Sequence, residues 1–197
     1  MVYTDVVEIS QALSQLAEIQ DKLLRTQVYR GYRPRTVAFT AGCAFLGGWL
    51  SRTWNPATVW PMIALFCLAV VAGEMAFDYS NSFSNHQQRL ARRVLVQFLP
   101  GLALGAAWTG VWVHSGHAIA LLPALWTMSY AFCLLSARTL LPAGVGYVAV
   151  FYGLSSLALT SPVCYARFNL GMTLAFGLGQ GLLALILHWN QPRKETE

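Results

Sequence analysis

Apolar residues in this chain gather into six long runs joined by short polar connections. The runs cover residues 36–50, 57–77, 94–113, 118–136, 142–160 and 168–189. A helix that crosses a bilayer needs about 20 predominantly apolar residues, within a range of roughly 17–25. The first run is the shortest. Arg35 and Arg52 bound it closely, so it crosses only if both arginines extend outward to the headgroups. Pro61 falls in the first turn of the second run, where proline is tolerated. Pro100 falls early in the third, and Pro142 opens the fifth. The pattern predicts an all-α fold, a polytopic membrane bundle of six transmembrane helices within residues 31–190, followed by a short tail at 191–197.

A different periodicity precedes the first run. Val2, Ile9, Leu16 and Leu23 recur every seven residues, Val6 and Leu13 occupy the intervening positions, and Gln20 and Gln27 continue that series. This heptad seam predicts an amphipathic, coiled-coil-like helix within residues 1–30, suited to pairing with another helix. Two blander placements are the membrane surface and the protein's own bundle. Asp5, Glu8, Glu18 and Asp21 outnumber Lys22 and Arg25 over residues 3–29, which disfavours adsorption to anionic lipid. The N-terminus has no basic region and no early apolar core, so it is not expected to be a cleavable signal peptide.

Composition sharpens the membrane reading. Hydrophobic residues make up 56% of the 197 and charged residues only 11%, against about 25% charged in a soluble domain. The net charge of +5 points to anionic headgroups rather than nucleic acid, because the basic residues sit in short loops beside apolar runs. Eleven of the thirteen Lys and Arg, among them Arg30, Arg33, Arg35, Arg89, Arg92, Arg93 and Arg138, fall on one side of the six runs. Arg52 and Arg167 fall on the other. The positive-inside rule then places both termini in the cytoplasm. Trp49, Trp54, Trp60 and Trp112 mark the external boundary and Trp189 the internal one. Cys43, Cys67, Cys133 and Cys164 are scattered without a C-x-x-C pair, so no disulfide framework is expected.

Few residues offer chemistry. Glu74 lies about a turn inside the cytoplasmic end of the second run, with Asp78 one turn further on the same face. Ionisable groups within a membrane segment are candidates for function. Arg89, Arg92 and Arg93 offer a purely structural ion pair across the loop, and Gln97 offers a hydrogen bond. Gln180 lies near the middle of the sixth run, so Glu74, Gln97 and Gln180 form a candidate intramembrane polar site. Gly101 with Gly105, and Gly177 with Gly181, form small-xxx-small pairs suited to close helix packing. Arg30, Arg33 and Arg35 with Tyr32 form a basic collar at the membrane surface. His114 and His117 lack the further ligands zinc requires. Neither a serine-based constellation nor a glycine-rich phosphate loop occurs. No metal, cofactor or catalytic group is expected.

Five short blocks carry a resemblance. They are Arg30-Gly31-Tyr32-Arg33, Gln97-Phe98-Leu99-Pro100, Leu122-Pro123-Ala124-Leu125-Trp126, Gly177-Leu178-Gly179-Gln180 and Leu187-His188-Trp189. In this order the chain resembles a group of uncharacterised bacterial integral membrane proteins of about this length that also begin with an amphipathic helix. The resemblance implies a bacterial inner membrane and carries no activity.

The expectation is a non-enzymatic membrane protein, an adaptor or signalling component. Its partners would be the lipid bilayer and either a second copy or a cytoplasmic protein engaged through residues 3–29. A small-molecule or lipid binder or transporter, with the polar site between spans 2, 3 and 6, is the alternative.

Overall fold

The computed structural model describes Gln15, Tyr29 and residues 32–81, 84–115, 121–161 and 167–191. Among these residues there are six α-helices and no strand: α1 (Pro34–Leu50), α2 (Pro56–Asn81), α3 (Asn85–Ser115), α4 (Leu122–Ser136), α5 (Val145–Leu159) and α6 (Phe168–Trp189). Apart from Gln15 and Tyr29, residues 1–30, where the N-terminal helix is expected, lie outside the described residues.

Local chemistry sets several boundaries. Proline opens α1 and α2 at their first helical positions, where its missing N–H costs nothing. Asn55 caps α2 by accepting the Ala57 N–H at 2.9 Å. Ser84 caps α3 by accepting the Gln87 N–H at 3.4 Å. Ser84 and Gln87 have the spacing of a capping box, and α3 begins nine residues before the expected run. Leu90, Ala91, Val94 and Phe98 are buried along these first turns while Arg89, Arg92 and Arg93 are exposed. The basic stretch expected as a loop is therefore the amphipathic start of a helix, and Pro100 lies well inside it. Pro61 likewise lies inside α2. Pro142 does not open α5. Its carbonyl accepts the Val145 N–H in a turn, and Gly144 caps the helix at φ 97°, a left-handed conformation that favours glycine.

Successive helices run antiparallel. At one end Arg33 meets Asp78, the Tyr29 N–H reaches the Leu140 carbonyl at 2.7 Å, and Asn190 donates to the Ala143 carbonyl at 3.1 Å. At the other end Asn169 joins Trp60 and the Ser51 carbonyl, and Ser156 donates to the Ala124 carbonyl. The most extensive packing is α1 on α6 and α4 on α5, with α2 on α1 and α3 on α4 toward the outside. The main core holds Val37, Phe98, Leu134, Val148, Tyr152 and Leu183. Tyr152 is central to it, with its ring 4.9 Å from Tyr130 and 5.6 Å from Phe176.

The outer surface is apolar. Leu65 and Phe66 on α2, Val96 and Leu99 on α3, Leu157 on α5 and Leu178 on α6 are among the exposed large side chains. Such continuous exposure suits lipid rather than water. By length and composition α2, the Asn85–Val111 part of α3, and α6 are able to cross a membrane. That is three candidate crossings, not the six expected. α4 and α5 have 15 residues each, about 22 Å of helix at 1.5 Å per residue against a hydrocarbon thickness of about 30 Å. The shortfall at α5 lies in the turn through Pro142 and Gly144. α1, with 17 residues, is intermediate.

Candidate functional site

The charged end of α2 meets the start of α1. Glu74 and Asp78 lie one turn apart, so both carboxylates face the same neighbour. That neighbour is Arg33, the N-cap residue of α1. Its guanidinium contacts Asp78 Oδ1 at 2.6 Å and Glu74 Oε1 at 3.4 Å. The Thr36 hydroxyl donates to Glu74 Oε2. The Arg33 side chain is 51% exposed, Glu74 24% and Asp78 2%, so the deepest charge is the one held most closely. The expected structural partners of Glu74 were Arg89, Arg92 and Arg93. The amphipathic start of α3 turns those three outward, and Arg33 takes their place. Of the basic collar, Arg33 is thus an ion-pair residue, Arg35 is exposed, and Arg30 lies outside the described residues.

Two tyrosines extend this anchor. Tyr29 is buried at 3% exposure, with its backbone N–H tied to the turn after α4. The Tyr32 hydroxyl lies 2.9 Å from the Tyr130 hydroxyl on α4, and its ring packs near Phe98 of α3. The chain leading into α1 is therefore fastened to α2, α3, α4 and the α4–α5 turn.

Burial, and then the carboxylates of Asp78 and Glu74, push the Tyr29 phenol up to about 12 from an ordinary value of 10.0. The unfolded phenol loses its proton first as pH rises, so the folded form then binds more protons and stability falls with pH. The contribution is intact below pH about 10 and is lost as pH rises toward about 12. It amounts to about 2 kcal/mol, because a tenfold change in proton affinity is worth about 1.4 kcal/mol and solvent screening trims the total. Unfolding across this window is expected to show a steeper loss in the native protein than in Tyr29→Phe. Equal slopes would remove Tyr29 from the anchor.

The structure does not join Glu74, Gln97 and Gln180 into one polar site. Glu74 is engaged by Arg33 and Thr36. No hydrogen bond among the described residues links it to either glutamine, and Gln97 Oε1 is buried without a partner. Gln180, 9% exposed, lies beside the Tyr130 and Tyr152 hydroxyls, yet the Tyr152 hydroxyl closes no hydrogen bond.

The expected packing glycines divide. A Cβ at Gly101 would lie 2.5 Å from Cys133 Sγ, one at Gly105 3.2 Å from the Trp126 ring, and one at Gly177 2.7 Å from the Phe45 ring. At Gly181 nothing lies within 4 Å, because this residue points away from the α1 and α5 contacts. Gly179, which the four-residue spacing passes over, is the one pressed against Tyr152. Asn169, which lies on the same stripe of the sixth run as Gln180, accepts from Trp60 Nε1 at 3.3 Å and donates to the Ser51 carbonyl at 3.2 Å. Trp60 is accordingly buried at 7% exposure rather than set in an interfacial belt, whereas Trp49 and Trp54 are exposed.

Among the described residues, Arg33, Glu74, Asp78 and Thr36 form an anchor between α1 and α2. No three His, Cys, Asp or Glu side chains gather for a metal among the described residues. No family model, curated protein or solved structure matches the chain.

Proposed function

We propose that this chain is a non-enzymatic protein of a bacterial inner membrane, crossing it six times with both termini in the cytoplasm. Its bundle serves as a platform for residues 1–28, which associate with a second copy or a cytoplasmic partner. The observation that carries the reading is the fastening of Tyr29, Tyr32 and Arg33. A segment with a heptad seam gains nothing from a rigid base if it is only a tether. A rigid base fixes its direction and lowers the ordering cost of association. The alternation of the helices and the charge bias favour a common side for this base and the tail.

Deleting residues 1–28 leaves Tyr29 and Arg33 in place. Native mass spectrometry in mild detergent is expected to show the oligomer or bound protein of the full chain and a lone folded bundle after deletion. An unchanged assembly would rule out the docking role.

Binding or transport of a small polar molecule or lipid is the second reading. The unpartnered Gln97 Oε1 and Tyr152 hydroxyl favour it, while the commitment of Glu74 to Arg33 weakens it.

A further inference from the structure

The α1–α2 seam brings two cysteines together. Thr36 faces Glu74 across it, and Gly47 faces Ile63 so closely that a Cβ there would lie 2.9 Å from the Ile63 side chain. Seven residues on from Thr36 is Cys43, and seven back from Glu74 is Cys67. Four further on is Gly47, and four further back is Ile63. In an antiparallel pair this register places Cys43 opposite Cys67, two turns from one known contact and one turn from the other. The thiols are near enough to influence each other directly. Both are free. Cys43 is buried and Cys67 half-buried, and Phe66 and Leu68 beside Cys67 are 54% exposed on the outer apolar surface.

We propose that Cys43 and Cys67 form an inter-helix dithiol that a lipid-soluble quinone oxidises to a disulfide joining α1 to α2. Two S–H bonds break and one S–S bond forms. Two electrons and two protons pass to the quinone, which leaves as the quinol. The oxidant class follows from the position: the pair lies midway along α1, and the open approach to Cys67 is from the apolar outer surface. The product suits the site as well. A disulfide is neutral, whereas a dithiolate holding a cation would bring charge into an apolar seam. Disulfide formation requires the two Cβ atoms to come within about 3.5–4.5 Å, and the absence of a side chain at Gly47 lets the helices approach on that side. The bond would hold the two helices that also carry Arg33, Glu74 and Asp78.

The test uses the full chain in phospholipid nanodiscs under argon, with a long-tailed, fully substituted benzoquinone that has no ring position open to thiol addition. Denaturation with a maleimide-polyethylene glycol reagent then counts free thiols, and peptide mapping locates the bond. Two of the four thiols are expected to disappear, the intact mass to fall by two hydrogen atoms, and a dithiol reductant to restore both. Cys43→Ala and Cys67→Ala are each expected to keep all their remaining thiols. Four labelled thiols after quinone treatment would overturn the proposal. So would a bond mapped between two molecules, or thiol loss undiminished in Cys43→Ala.

Discussion

Replacing Arg33 with alanine is expected to lower the unfolding free energy by about 3 kcal/mol, because it strands Asp78. Removing one partner of a buried ion pair costs about 3–5 kcal/mol, most of it the penalty of leaving the other charge unpaired. The low end applies because the Arg33 side chain is 51% exposed while Asp78 is 2% exposed. The pair does not by itself make the fold more stable than an apolar contact would. It makes removal of one member severe and fixes the register of α1 on α2. Asp78→Asn in the Arg33→Ala background is therefore expected to recover more than half of the loss, since a neutral amide is cheaper to bury than a carboxylate. Tryptophan fluorescence during titration with a denaturing detergent reads both variants. A change below about 0.5 kcal/mol in Arg33→Ala, the level of an exposed ion pair, would mean that the anchor contributes little.

A leucine at Gly179 is expected to cost about 3 kcal/mol or more, while the same substitution at Gly181 is expected to be nearly neutral. A Cβ at Gly179 would lie 2.5 Å from the Tyr152 hydroxyl oxygen. Tyr152 is 0% exposed and wedged among Tyr130, Phe151 and Phe176, so its ring has nowhere to go. Overpacking of this kind typically costs about 1–3 kcal/mol, and more where both sides are rigid. Gly181 meets nothing within 4 Å, so a side chain there projects into open space. Tyr152→Ala combined with Gly179→Leu is expected to return much of the loss, because it removes the ring that clashes. Equal effects at the two glycines would contradict the α5–α6 contact.

These substitutions also mark how far the sequence was legible. The six helices fall where the apolar runs lie, because run length and composition require no tertiary knowledge. Their ends were harder. Ser84 and Gln87 carried a capping signal for α3, but Arg89, Arg92 and Arg93 resembled a loop. Only the stripe of Leu90, Ala91, Val94 and Phe98 distinguishes an amphipathic helix start there. Glu74 and Asp78 were visible as a pair on one face. Their partner was not, since Arg33 reaches them through the meeting of α1 and α2, which spacing along one helix cannot report. The same limit misplaced the α6 glycine. A four-residue repeat identifies a stripe of small residues without saying which stripe faces a neighbour, and Tyr152 selects Gly179.

Site-directed thiol labelling most directly tests the central claim, that α1, α4 and α5 cross the membrane despite their length and so place Arg33 and both termini on the cytoplasmic side. Single cysteines would replace Thr53, Thr139, Ser161 and Gln191 in a cysteine-free background and meet an impermeant maleimide on intact spheroplasts. Six crossings predict labelling at positions 53 and 161 in intact cells, and at 139 and 191 only after permeabilisation. Labelling of position 139 from outside would mean that α4 and α5 do not cross. Protection of position 53 until permeabilisation would mean the same of α1.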